Sequence, residues 1–257
     1  MTAALVRPLP FSVVSGSAKA IAPLSNLNTD HPAIVWQSVS LTGVAFVIDL
    51  GANAVAYDTV ALIGTNLRGS DSLVINTGTT TTGTGSSTTS VAAVWSGPKS
   101  DLATAKVIVT LPTTRTERYM RITATATGHA DGCVQASRLV IGKSVVTLGV
   151  EVEAEHGFED YSNVSQGAGY TTVEPYDSVA FWKVNFSAIT DIAWRTDWLP
   201  LIQWMGAKRG VLFIPELESP DKYQTQAIFG RSTNKISGKY RAHDWVELEL
   251  SMVALGV

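Results

Sequence analysis

Cysteine is nearly missing. Cys133 is the only one in 257 residues, so no internal disulfide and no cysteine zinc site can form, a usage that suits a reducing compartment. Charge is scarce too. Lys, Arg, Asp and Glu make up 16% of the chain, below the usual quarter, which favours packed sheets and assembly surfaces over a highly charged particle. No apolar run approaches the ~18 residues that cross a bilayer, so no membrane partner is expected. The opening MTAALVRPLPFSVVSGSAKA has no charged leader region and is broken by Pro8 and Pro10, so it reads as retained.

Basic clusters and basic helices are also lacking. The net charge is −3; residues 1–143 carry 10 basic and 7 acidic residues, and residues 144–257 carry 9 and 15. That leaves no electrostatic footprint for sequence-specific nucleic acid binding and puts the acidic excess in the second half. His31, His129, His156 and His243 are scattered with no HxH or HExxH spacing, and no GxSxG elbow is present. GTGSST at Gly83 lacks the lysine of a phosphate loop. No catalytic constellation, cofactor or metal is therefore expected, and the chain is not read as an enzyme. Asn26, Asn28 and Asp30 offer hard oxygen ligands of the kind calcium takes, but they read first as an ordinary Asx-rich turn. Asp49 reads as a carboxylate accepting backbone N–H bonds from the loop after it.

What is present is β pattern. Residues 44–67 hold two apolar runs, VAFVID and VALI, rich in β-branched residues and too short for typical helices, so both read as strands in a sandwich core. Residues 5–14 contain two prolines within an apolar stretch and read as an edge strand. Trp36 reads as a core or loop-anchoring aromatic. Residues 77–90, TGTTTTGTGSSTTS, are low complexity and read as an exposed hairpin tip, and residues 100–105 as one helical turn. Strands at 107–111, at 118–127 with strict alternation, and at 139–142 bring the first unit to about eight, a number that suits a jelly roll.

The second unit begins with VVTLGVEVEAE at 145–155, read as one edge strand with Glu151, Glu153 and Glu155 on one face. Residues 156–178 read as turns and 178–186 as a strong strand. A helix is expected at 190–206, with Thr190 as N-cap, Asp191 at the positive dipole end, Ile192, Trp194, Trp198, Leu201, Ile202 and Met205 at helical spacing, and Pro200 as a kink. Strands at 211–214, 227–229 and 245–252 follow. Five of the seven tryptophans lie after residue 144. Core packing and a large apolar subunit interface both account for such density; Trp194, Trp198, Trp204, Glu151, Glu153 and Glu155 are the candidate interface residues.

Trp36-Gln-Ser38, Val47-Ile-Asp-Leu-Gly51, the run 60–66, Arg118-Tyr-Met-Arg-Ile122 and Leu139-Val-Ile-Gly142 occur in the order found in discoidin-like (F5/8 type C, galactose-binding-like) jelly rolls, which residues 24–143 resemble. Phe186-Ser-Ala-Ile-Thr190, Gly210-Val-Leu-Phe-Ile-Pro215, Ala227-Ile-Phe-Gly-Arg231 and the closing Val-Glu-Leu-Glu-Leu resemble the C-terminal module of tailed-bacteriophage tail-tip or baseplate proteins of the distal-tail type. The joint resemblance implies a mainly β chain, with a discoidin-like jelly-roll sandwich at 1–143 followed by a second β domain containing one helix at 144–257. It also implies a virion structural protein, assembled in the host cytoplasm into a homo-oligomeric ring of three or six copies. Its neighbours would be the tail tube, hub and tape-measure proteins. The alternative is a carbohydrate-binding module that assists attachment to cell-surface glycans.

Overall fold

The computed structural model describes residues 2–52, 55–91, 106–147, 154–175, 178–219, 224–242 and 244–255. The chain is mainly β. In its first part, β1 (Ala3–Val6), β2 (Ser12–Gly16), β3 (Trp36–Gln37), β4 (Val44–Asp49), β5 (Tyr57–Ile63), β6 (Ser72–Gly78), β7 (Ser87–Val91), β8 (Lys106–Arg115), β9 (Tyr119–Thr125), β10 (Gln135–Ala136) and β11 (Arg138–Gly142) follow in order. All but β1 and the short β3–β10 pair build an antiparallel sandwich, with β2-β4-β9-β6-β7 facing β11-β5-β8. This is the eight-stranded sandwich expected of a jelly roll. The helical turn expected at 100–105 lies outside the described residues.

The second part comprises β12 (Ser144–Thr147), β13 (Glu155–Asp160), β14 (Asn163–Gly167), β15 (Tyr170–Glu174), β16 (Ser178–Thr190), β17 (Val211–Ile214), β18 (Ile228–Ser232), β19 (Ser237–Ala242) and β20 (Trp245–Ala254). Between β16 and β17 runs one helical segment: α1 (Asp191–Ala193), a π-helical turn (Trp194–Trp198) and α2 (Leu199–Met205). One sheet runs β12-β1-β17-β18-β20-β16-β13, with β19 also on β20.

The prolines divide the stretch read as one edge strand. Before Pro8 and Pro10, β1 is a central strand, its two neighbours being β12 and β17 of the second unit. After them, β2 is an exposed edge strand paired with β4. Proline donates no ladder hydrogen bond and fixes φ, so the chain leaves one sheet and enters another there. Residues 3–6 are thus sheet partners of 144–147 and 211–214, across the boundary placed at 143/144.

Side-chain alternation reveals a layered body. Val60, Leu62, Val107, Val109, Leu139 and Ile141 point into the sandwich core with Trp36, Phe46 and Ile122. Ala61, Ile63, Ile108 and Val140, on the opposite face of the same strands, meet Ala4, Val6, Leu212, Ile214 and Phe229 of the large sheet. The other face of the large sheet, with Leu5, Phe213, Phe186 and Leu248, packs under Trp194, Trp198, Leu201 and Met205 of the helix. The three-stranded sheet is therefore buried on both faces, which is why its strands read as unbroken apolar runs, whereas one-face strands such as β9 alternate.

Two further stretches differ from expectation. Residues 145–155 are two strands at opposite ends of the large sheet, β12 and β13, with 148–153 outside the described residues. Residues 156–178 hold most of β13 and the whole β14–β15 hairpin, whose Thr, Val and Tyr are diluted by Ser, Gln and Gly; Gly169 makes the turn at φ +89°. Residues 77–90 form the mostly exposed tip of the β6–β7 hairpin, as expected, with Gly83 as a buried anchor. Thr77 and Gly78 complete β6, β7 starts at Ser87, and Gly83 packs so closely on β9 that an added Cβ would lie 2.8 Å from the Arg121 nitrogen.

Candidate assembly surface

The helix is positioned as the spacing predicts. Thr190 Oγ1 accepts from Ala193 N–H at 3.2 Å, and Gly206, at φ +48°, ends the segment. Pro200 causes no break: the chain widens into a π turn, in which Leu199 N–H reaches the Trp194 carbonyl, and places the proline at the start of α2, where no N–H is needed. Trp194 and Trp198 are core residues, not interface residues: Trp198 is 1% exposed and lies 5.4 Å from the Phe186 ring. Ile192, expected on the apolar face, is 76% exposed because it sits one position off the 194-198-201-205 stripe.

Trp204 is half-buried and ends that face. The Arg7 and Arg209 guanidinium carbons lie 4.7 and 5.0 Å from its ring, within cation–π range. Burial against the ring, and then the Arg209 charge, lower the pKa of Arg7 even though the residue as a whole is exposed. Next to this stack lies a cleft of about 470 Å³ between the two units, lined by Leu9, Pro10, Val55, Pro200 and Leu201, with Arg7, Lys143 and Asp197 on its walls. A second apolar recess of about 280 Å³ lies between β12 and the end of β16, over Trp198.

The most exposed β structure is the arm from β13 to β15. Every residue of β14 is exposed, as are residues 171–174, and among the described residues β14 and β15 pair only with each other. Phe158, Tyr161, Val164 and Val173 are 62%, 50%, 60% and 54% exposed, with Val164 directly opposite Val173. Glu155 is exposed on β13, 3.8 Å from Lys183; Glu151 and Glu153 lie outside the described residues.

The polar groups that looked most like a ligand site are engaged within the first unit, and Asp30 alone of them bonds across to the second. Arg138 Nη1 donates to the Leu27 carbonyl at 3.2 Å and Asn28 Oδ1 at 3.1 Å, and its Nε lies 3.2 Å from Asp30 Oδ1, off the line of a hydrogen bond. The oxygens of the Asn28 and Asp30 turn thus face a guanidinium belonging to the chain. Asp30 Oδ2 also accepts from Gly210 N–H at 3.4 Å, while Asn26 donates to the Val35 carbonyl. On the far side of the joint, Gln224 Nε2 donates to the Ile108 carbonyl at 2.7 Å, and its Oε1 accepts from Ile108 N–H at 3.0 Å, continuing the ladder at the free edge of β8. Lys106 lies buried beside it, donating to the Thr225 carbonyl at 3.1 Å, and burial lowers its pKa to about 8. His156, stacked on Trp182 at 4.4 Å, is pushed below its usual pKa first by burial and then by the Lys106 charge.

Asp49 accepts from Gly51 N–H at 2.8 Å, as expected, and is also clamped by Arg118 at 2.8 and 2.7 Å. Among the described residues no three His, Cys, Asp or Glu side chains come together as a metal site. No aromatic of the sandwich is exposed among them either: Phe11, Trp36, Phe46 and Tyr57 are buried, and Tyr119 is half-buried beneath Arg118.

No protein-family model matches the chain, and no curated protein matches it. Among solved structures it is similar to CBM32-1 from a family 31 glycoside hydrolase from Clostridium perfringens, at 14% identity and a TM-score of 0.37, over 53% of this chain and 96% of that one.

Proposed function

We propose that this chain is a non-catalytic structural subunit that assembles with copies of itself into a ring at the distal end of a bacteriophage tail. The observation that carries the reading is the β14–β15 hairpin. An isolated two-stranded hairpin is marginal in water, and one bearing exposed Val164 and Val173 beside Phe158 and Tyr161 gains stability only by packing on another surface. The resemblance of the motifs in residues 186–257 to those of distal-tail proteins suggests the setting. The buried joint between the sandwich and the large sheet suits a part that bears load as one body.

Light scattering across a concentration series tests the assembly step. A trimer or hexamer that loses mass when residues 162–175 are replaced by a short turn supports the reading, and a particle that stays monomeric alone and with tail proteins overturns it. Antibodies raised against the purified chain should label only the distal tail end of virions; uniform or absent labelling would overturn the placement.

A further inference from the structure

The arm and the cleft are complementary and lie at opposite edges of the large sheet. Between positions 154 and 175 the sequence carries Glu155, Glu159, Asp160 and Glu174 and no lysine or arginine. These carboxylates are interleaved with the exposed Phe158, Tyr161, Val164 and Val173. The cleft has the opposite character: apolar side chains from Leu9, Pro10, Val55, Pro200 and Leu201 form its lining, and Arg7 and Lys143 stand on its walls with Arg209 close by across Trp204. Arg7 and Lys143 are exposed, and neither has a carboxylate within ion-pair range among the described residues. Asp197 is the one acidic residue on the walls.

The arm and its own cleft lie apart. The arm continues from β13 at one edge of the large sheet, whereas the cleft borders Val145 of β12 at the other edge. Six strand spacings separate those edges, roughly 29 Å at about 4.8 Å per spacing.

We propose that the acidic, apolar arm of one copy docks in the basic, apolar cleft of the next copy of the same chain. The contact joins two different surfaces, so it is head to tail. Repetition closes a ring where the rotation divides a full circle, and every subunit gives one arm and receives one. Phe158 and the Val164–Val173 pair supply the apolar contact, while Glu159, Asp160 and Glu174 face Arg7 and Lys143. This deepens the ring reading and rests on it.

Charge reversal on the full-length chain tests the docking. One variant carries Glu159→Lys, Asp160→Lys and Glu174→Lys; a second carries Lys143→Glu alone, and a third adds Arg7→Glu. All alter exposed residues, and unchanged thermal melts will confirm that each folds. Either reversed side is expected to weaken self-association by about tenfold or more, as like charges meet across the contact. Combining arm and cleft reversals in one chain is expected to restore it. An oligomer in the parent that is unaffected by all the reversals overturns the arm-in-cleft contact and leaves the ring reading standing. A parent chain that stays monomeric, alone and with tail proteins, overturns both.

Discussion

Lys106 sits in a costly environment. Its ammonium lies between the two sheets with one backbone carbonyl as partner, and burial lowers its pKa from 10.5 to about 8. Between pH 8 and about 10.4 the folded chain binds fewer protons here than the unfolded chain, so this lysine makes stability rise with pH across that window. Below pH 8 its full cost is present, on the order of 3 kcal/mol at about 1.4 kcal/mol per pKa unit. Lys106→Met should therefore raise the melting temperature at neutral pH and flatten the alkaline rise. The same change removes a charge beside His156, whose imidazole should then titrate closer to its normal value by NMR. Cost of another kind attaches to Trp198, the floor of the helix packing. Trp198→Ala should destabilise by about 3–5 kcal/mol in chemical denaturation, with the oligomeric state of the folded fraction unchanged because the ring is buried in its own chain.

Elements differ in how openly the sequence announces them. The helix was legible because Trp194, Trp198, Leu201 and Met205 repeat at its period, and Thr190 and Gly206 punctuate it. Strands buried on both faces were legible as the runs VALI and VLFI, although an apolar run does not say which sheet a strand joins. The fate of β1 shows the gap: its partners lie more than a hundred residues away, and long-range pairing leaves no local trace. The arm was least legible, since neither periodicity nor a strong apolar face marks a hairpin whose strands are exposed. The threonine-rich tip was legible as an exposed hairpin turn, although composition hides a glycine that fits against β9. Gly83→Ala should cost about 1–2 kcal/mol for the left-handed backbone alone, and the 2.8 Å approach to Arg121 adds to it. A melt indistinguishable from the parent would show that the tip is free after all.

At the scale of the whole molecule, the sandwich and the large sheet share an apolar layer and the polar joints of Asp30, Gln224 and Lys106, and should melt in a single calorimetric transition. Residues 144–257 expressed alone should fail to fold cooperatively, since β12 and β17 would lose the strand that stands between them. A sharp melt of that fragment would show that the second unit is autonomous. The threading of β1 also sets a clock. Ala4 pairs with Ile214, so during synthesis this strand, apolar on both faces and open on both edges, emerges from the ribosome long before its sheet exists. At about 5–20 residues per second the wait is roughly 10–40 s. Throughout that interval it competes with β1 strands of other nascent chains on the same polysome, so the yield of folded protein should fall as expression rate and temperature increase.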